Sequence, residues 1–306
     1  MPAQYHRGLF CLALCTALLT LPLILLGSLV SSSGYGLSIP DWPLAFGSLV
    51  PGDLAGGALY EFAHRMMAAV TGLLAFLSAG FLWSRDPRPL VRRLGLIALL
   101  LIVVEILLGG IGVLSLFPSA VQMLHAALAH LFFALMVALA IVTSAGWFRP
   151  APTPSGLDEK TSRGIRALAS MILIQTILGA VVRHGSATWV FLPALLLHVV
   201  TGLGITISSL TTALALRRTS QDRGLLGVSY SMVALVALQW GLGPLVLLAS
   251  FSPGTGGQPG AGYIWQSVAH VTIGALLLGA GVYLALVSKR GIAQAPAAEV
   301  SSSQTV

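Results

Sequence analysis

The chain has 306 residues, of which 56% are hydrophobic and only 8% charged. A water-soluble domain carries about 25% charged residues, so this composition, with a mean hydropathy of +0.92, excludes a soluble enzyme. The formal charge of +7 would suggest nucleic acid in a soluble protein, but in a membrane protein it records which loops face the cytoplasm.

A helix needs about 20 apolar residues to cross a bilayer. Eight runs meet that length, near 9–30, 61–84, 94–114, 123–146, 167–183, 193–216, 225–250 and 264–287. The fold class expected is therefore all-α integral membrane, with eight transmembrane helices. The first run reads as a span, because it is too long for a signal peptide and no A-x-A site follows it. Cys11 and Cys15 lie four apart within it and share a helix face. They read as two small buried hydrophobes. The loop after this run contains Pro40, Asp41, Trp42 and Pro43. It reads as a short interfacial lid, or as a cover for a site beneath it.

The second run opens on Glu61, His64 and Arg65, the third carries Glu105, and the fourth carries His125 and His130. Next comes the most polar internal stretch, residues 148–166, with Pro150, Pro152, Pro154, Ser155, Gly156, Asp158, Glu159 and Lys160. It reads as a flexible linker. The fifth run is closed early by Arg183 and His184, and the sixth and eighth carry His198 and His270. These features divide the chain into a first four-helix half at 1–147, a linker at 148–166, a second half at 167–290 and a polar tail at 291–306, expected to be disordered.

Orientation follows from lysine and arginine. With the N-terminus inside, 14 of the 16 basic residues lie on cytoplasmic segments, and only Arg65 and Arg183 lie outside. That asymmetry predicts both termini in the cytoplasm. It also removes nucleic acid as a partner, since the basic residues mark a membrane face. Trp83 and Trp147 fall at inner borders and Trp42, Trp189 and Trp265 near outer ones, as interfacial anchors do.

A repeat supports two pseudo-symmetric four-helix bundles. The odd runs carry a Leu-Gly step, at Gly27, Gly109, Gly179 and Gly243. The even runs carry His64, His125, His198 and His270. The unit is a hairpin of a glycine helix and a histidine helix, used four times. Glycines let neighbouring helices approach closely. Glu105, Gln175 and Gln239 each stand four residues before a repeat glycine, which suggests a shared structural role.

Ionisable residues inside spans are costly and face the bundle interior. One histidine on each even helix, within about the first two turns at 3.6 residues per turn, puts all four at similar depth in the outer half of the membrane. Two axial histidines on facing helices can clamp one haem iron, so four would clamp two. A bare copper or zinc site competes, but no carboxylate or thiolate cluster accompanies the four. His130 points about 140° away from His125 on the helix, so His125, at matching depth, is the preferred ligand. Glu61 and His64 share a face, and nothing similar precedes His198 or His270. A carboxyl there can move protons beside a ligand, or it is an interfacial acid favoured by the helix dipole. Arg65, and Arg183 in the second half, suit a propionate. The chemistry is therefore expected in the first half and a permanent cofactor in the second.

With these residues the chain resembles the haem A synthase family across all eight runs. The resemblance rests on the segment from Gly34 to Pro43, the Glu-x-x-His-Arg motif at Glu61, His64 and Arg65, the stretch from Gln175 to His184, and His125, His198 and His270. It implies oxidation of a methyl group of haem O to the formyl group of haem A, by successive hydroxylation and loss of water. It implies haem b between His198 and His270 as an electron relay, and substrate haem O near His64 and His125 with Arg65. Glu61 is implicated in catalysis. The implied setting is the bacterial plasma membrane, among lipid. Haem O synthase and terminal oxidase assembly are the implied neighbours, and a homo-oligomer is allowed. Many bacterial members carry a cysteine pair in an outer loop, and this chain does not. A di-haem b-type cytochrome that only transfers electrons is the alternative, and a haem or metal carrier a third.

Overall fold

The computed structural model describes residues 5–149, 157–185, 187–251 and 259–293. Among them are eight long helices: α1 (Arg7–Ser32), α2 (Gly57–Arg85), α3 (Pro89–Leu114), α4 (Ser119–Thr143), α5 (Glu159–His184), α6 (Thr188–Thr219), α7 (Arg223–Ser250) and α8 (Ala261–Ala293). All eight are long and apolar enough to cross a membrane. The chain is thus an all-helical integral membrane protein, as its hydropathy predicts. Spanning segments must satisfy their own backbone hydrogen bonds, and the helix does this within each segment.

Local chemistry sets the helix starts. Pro89 opens α3, where its missing N–H is not needed. Asp222 caps α7 by accepting from Gly224 N at 2.7 Å and Leu225 N at 3.0 Å. Asp158 caps α5 by accepting from Thr161 N at 2.8 Å. Helix α5 therefore begins at Glu159, inside the stretch read as linker to residue 166. A charged first turn is no obstacle to a helix once it is capped, and Arg166 donates to Glu159 at 2.8 Å across two turns. The Pro150–Gly156 part of the expected linker and residues 294–306 of the expected tail lie outside the described residues. The helical part of α8 runs past residue 291, to Ala293.

Each half closes on itself. Helix α1 packs on α2 and α4, and α3 packs on both α2 and α4. In the same way α5 packs on α6 and α8, and α7 on both α6 and α8. Between the halves, α1 meets α8, α5 meets α4, and α4 meets α8. The first two pairs exchange under a two-fold relation of the halves, and α4 and α8 flank its axis. Phe133 of α4 sits on that axis, packed with Ile24 of α1 and Ala275 of α8.

The two packed cores lie at the same end of both bundles. In the first, Leu9 and Ala13 begin α1, Val91 begins α3, and Leu82 and Leu139 end α2 and α4. In the second, Ile165 and Leu225 begin α5 and α7, and Leu216 and Leu284 end α6 and α8. Close packing is thus concentrated away from the histidines. The same end is tied by polar contacts. Arg88 donates to Val142 O at 2.9 Å and lies 5.1 Å over the Phe148 ring, while Arg290 lies 5.0 Å over Trp147.

Two expectations need correction. Cys11 and Cys15 are exposed on the outer face of α1, not buried. In a bilayer an outward face is apolar, so cysteine there behaves as a hydrophobe facing lipid. Trp42 is no outward anchor either. Its ring lies on α3, where a Cβ built on Gly110 would stand 2.5 Å from it. Trp83, Trp189 and Trp265 are exposed, as membrane anchors are.

Candidate functional site: four histidines at one end of two bundles

The repeat seen in the sequence is an interlock in space. A Cβ built on Gly27 would stand 2.9 Å from Cε1 of His64, and one on Gly179 3.2 Å from Cε1 of His198. The corresponding distances are 3.8 Å from Gly109 to His125 and 3.7 Å from Gly243 to His270. Each repeat glycine leaves the room that the next helix's imidazole fills. Close packing then holds the ring orientation, which a binding site needs.

The residue four before each glycine makes a second contact. Gln175 Nε2 donates to the carbonyl of His198 at 2.9 Å, and Gln239 Nε2 to that of His270 at 3.0 Å. These amides are admitted by glycines four residues after the histidines. A Cβ on Gly202 would meet Gln175 Nε2 at 3.4 Å, and one on Gly274 would meet Gln239 Nε2 at 3.3 Å. Glutamine and histidine therefore cross, each against the other helix's glycine. The first bundle departs from this pattern. Ala68 and Ala129 replace the second glycines, Leu23 stands where the glutamine would be in α1, and Glu105 stands there in α3. Glu105 reaches the ring itself, with Oε2 2.9 Å from His125 Nδ1.

The shared structural role expected for Glu105, Gln175 and Gln239 is thus visible for the two glutamines, while Glu105 touches the imidazole. His130 is buried, and its Nδ1 lies 2.8 Å from Ala126 O of its own helix. It takes no part in the interlock.

The Nδ1 atoms of His64, His198 and His270 are buried with no hydrogen-bond partner, and that of His125 meets Glu105 in a close contact without hydrogen-bond alignment. Unpaired buried polar atoms cost about 1–3 kcal/mol each. The rings of His198 and His270 lie with centroids 6.3 Å apart and planes inclined by 51°. A metal–nitrogen bond is about 2.0 Å. An imidazole built from bonds of about 1.33 Å has a radius of about 1.1 Å. Two rings bonded to one iron through their nitrogens therefore stand about 6.2 Å apart, centre to centre. The second-bundle pair fits a bis-histidine haem. Among the described residues, no group of three or more His, Cys, Asp and Glu side chains could hold a bare metal ion.

Among the described residues, a folded loop covers the first bundle at this end. The loop from Ser33 to Gly56 joins α1 to α2. Asp41 folds it, accepting from Phe46 N and Gly47 N at 2.7 Å each. The Gly47 and Phe46 N–H groups hold the Asp41 carboxyl below the usual carboxylate range. Ile39 is fully buried, and its N–H donates to Glu61 Oε2 at 2.9 Å. Arg65 completes the tie. Its terminal nitrogens donate to Glu61 Oε1 at 2.5 Å, Ile39 O at 3.1 Å, Asp41 O at 2.7 Å and Leu44 O at 3.0 Å. The loop thus reaches from α2 to Trp42's seat on α3, next to the glycine that faces His125.

Of the Glu61, His64 and Arg65 motif, Glu61 and Arg65 are in direct contact, and the guanidinium for which a propionate role was expected is already bonded to loop carbonyls. Arg183 is likewise engaged. It donates to Ser32 Oγ at 2.6 Å and to Ser28 Oγ and O at 3.1 Å each, tying α5 to α1 across the bundle interface. No sequence signal marks such partners, because backbone carbonyls belong to every residue. The glycines at 202 and 274, four after a histidine, were the signal for the glutamine contacts.

Known proteins are similar to parts of this chain. A family model described as cytochrome oxidase assembly protein matches residues 57–195. A protein of Shouchella clausii named "Heme A synthase" is 33% identical over 191 residues, covering 60% of this chain and 62% of that relative. Proteins of the same name from Brucella ovis and Brucella melitensis are 36% identical over 125 residues, covering 37% of this chain and 34% of theirs. The chain thus spans less than two thirds of the length of these curated relatives.

Proposed function

We propose, with the haem A synthase family that these matches support as the premise, that the chain oxidises a ring methyl group of haem O to the formyl group of haem A. The observation that carries this reading is the pairing of one histidine–glycine interlock per hairpin with a folded loop, tied by Glu61 and Arg65, over the first bundle. A site with a permanent cofactor needs only a fixed pair of rings. A site that admits and releases a substrate needs an entrance, and a lid held by a few polar contacts supplies one.

In this reading His198 and His270 would hold haem b, and the 6.3 Å between their ring centroids supports that pairing. Haem b would supply one-electron transfer to the first bundle. His64 and His125 hold substrate haem O. The loop through Trp42 excludes water from that end. Arg65 keeps the loop closed, and Glu61 is the shared anchor of Arg65 and Ile39 N. When Ile39 moves away, Oε2 of Glu61 becomes free to accept or return a proton at the substrate. Both termini lie in the cytoplasm of a bacterial plasma membrane in this reading, supported by the 14 of 16 basic residues on inner segments. Haem O synthase supplies the substrate and terminal oxidase assembly receives the product.

The four-fold histidine repeat also favours a di-haem cytochrome that only passes electrons, and one experiment separates the two. The chain is expressed beside a haem O synthase, and pigments are extracted. Haem A is expected only when this chain is present. Haem O alone, in membranes where the chain shows its haem b spectrum, overturns the enzyme reading.

A further inference from the structure

Among the described residues, Glu105 is the one carboxylate aimed at a repeat histidine. It is 5% exposed, in the second half of the membrane-spanning α3. One oxygen lies 2.9 Å from His125 Nδ1, and the other, Oε1, is buried with no partner. At the two equivalent positions of the second bundle the residue is an amide, and it bonds to the histidine's backbone carbonyl instead of its ring. A buried carboxylate costs several kcal/mol unless it is paired. The amide was available to the same fold and serves it twice. A structural role alone therefore leaves the carboxylate unexplained.

We propose that Glu105 is a positioning residue of the first-bundle site, which fixes His125 with its proton on Nδ1 and its Nε2 lone pair free toward the bundle interior. The proposal rests on the reading of His64 and His125 as the substrate-haem pair. A carboxylate partner on the remote nitrogen raises the basicity of a metal-binding imidazole, fixes its tautomer and turns its ring. Turned into alignment with Glu105 Oε2, 2.9 Å away, His125 becomes a stronger donor to iron than His198 or His270, whose Nδ1 atoms have no carboxylate contact among the described residues. The two bundles share one ligand type and differ in its second contact. The first-bundle iron is accordingly favoured in its oxidised state relative to the second, so the ligands themselves make the two haem sites unequal.

The test uses the purified full chain in detergent, with haemin as the probe, followed by absorption titration and redox potentiometry. Wild type takes up two haems, and the first-bundle one is identified as the signal lost in His64→Ala. Glu105→Gln, which keeps the shape of the side chain, is expected to weaken first-bundle haemin binding about 10–100-fold. It is also expected to raise that haem's reduction potential, with the His198/His270 haem unchanged. Glu105→Asp should fall between the two. Unchanged first-bundle affinity and potential in Glu105→Gln overturns the proposal. So does an equal loss from both bundles, since Glu105 would then serve the fold and not one site. A wild-type chain that takes up haemin in the second bundle alone overturns the two-haem reading itself, and the proposal with it.

Discussion

The glycine–histidine interlock makes a graded prediction, because the four glycines are not equally tight. Adding a methyl group at Gly27 would place Cβ 2.9 Å from His64 Cε1. Ordinary carbon contacts lie near 3.5–4.0 Å, so the imidazole must move by more than half an ångström or the helices must part. Overpacking of this kind costs about 1–3 kcal/mol, and a displacement of that size is enough to spoil a positioned ligand. Gly179→Ala, at 3.2 Å, should be milder. Gly109→Ala at 3.8 Å and Gly243→Ala at 3.7 Å make ordinary contacts, and alanine is the better helix former by about 1 kcal/mol. The four variants are therefore expected to rank Gly27, then Gly179, with Gly109 and Gly243 near wild type. Thermal unfolding in detergent reads the stability, pyridine haemochrome assay reads the total haem retained, and the native absorption spectrum, referenced to His64→Ala, assigns it to a bundle. Gly27→Ala should lose first-bundle haem while keeping the second-bundle spectrum. Equal behaviour of Gly27→Ala and Gly109→Ala would refute the claim that these glycines exist to seat the rings.

Other outcomes follow from the same contacts. Arg65→Ala leaves buried Glu61 unpaired and three loop carbonyls without a donor. It should destabilise the outer end by about 3–5 kcal/mol and open the Ser33–Gly56 loop to protease, while second-bundle haem survives. Gln175→Leu and Gln239→Leu each remove one hydrogen bond, worth about 0.5–1.5 kcal/mol, so melting should fall modestly with haem b retained. Asp41 has a depressed pKa in the folded loop. Its tie is thus fully present above the ordinary carboxylate pKa of about 3.9 and is lost only as pH falls through the lower folded value. Trp42 fluorescence should stay flat from neutral pH down to about 4 and change below it. In Asp41→Asn that acid transition should vanish.

The bilayer makes some features legible in sequence and hides others. All eight spans could be read because lipid demands a minimum apolar length, and no tertiary contact overrides that demand. The repeat histidines could be read because residues with few tolerated positions recur in register. The start of α5 could not, because hydropathy counts Lys160 and Arg163 against a span, whereas a helix needs only its cap at Asp158. The exposure of Cys11 and Cys15 could not, because inward and outward faces are both apolar in lipid. Arg65 was visible as part of a motif, but its partners are loop carbonyls, which carry no residue identity.

The departures from the repeat all fall in one bundle, and they fit together. The second bundle keeps glutamine, glycine and histidine at both of its hairpins, which makes two matching clamps for a ligand that stays. The first bundle has lost both glutamines and both second glycines, and it has gained Glu105 and a folded loop. The loop is anchored by Glu61 and Arg65, at the head of the same helix that carries His64, so any movement of the cover acts on the turn next to that ring. Trp42 lies against Gly110, adjacent to the glycine that faces His125. One loop thus touches α2, which carries His64, and α3, whose Gly109 faces His125, so opening it would loosen the surroundings of both rings together. On the proposed function, a pair of ligands whose hold depends on a cover suits a transient haem, and a pair held by helix packing and the Gln175 and Gln239 hydrogen bonds suits a haem that remains.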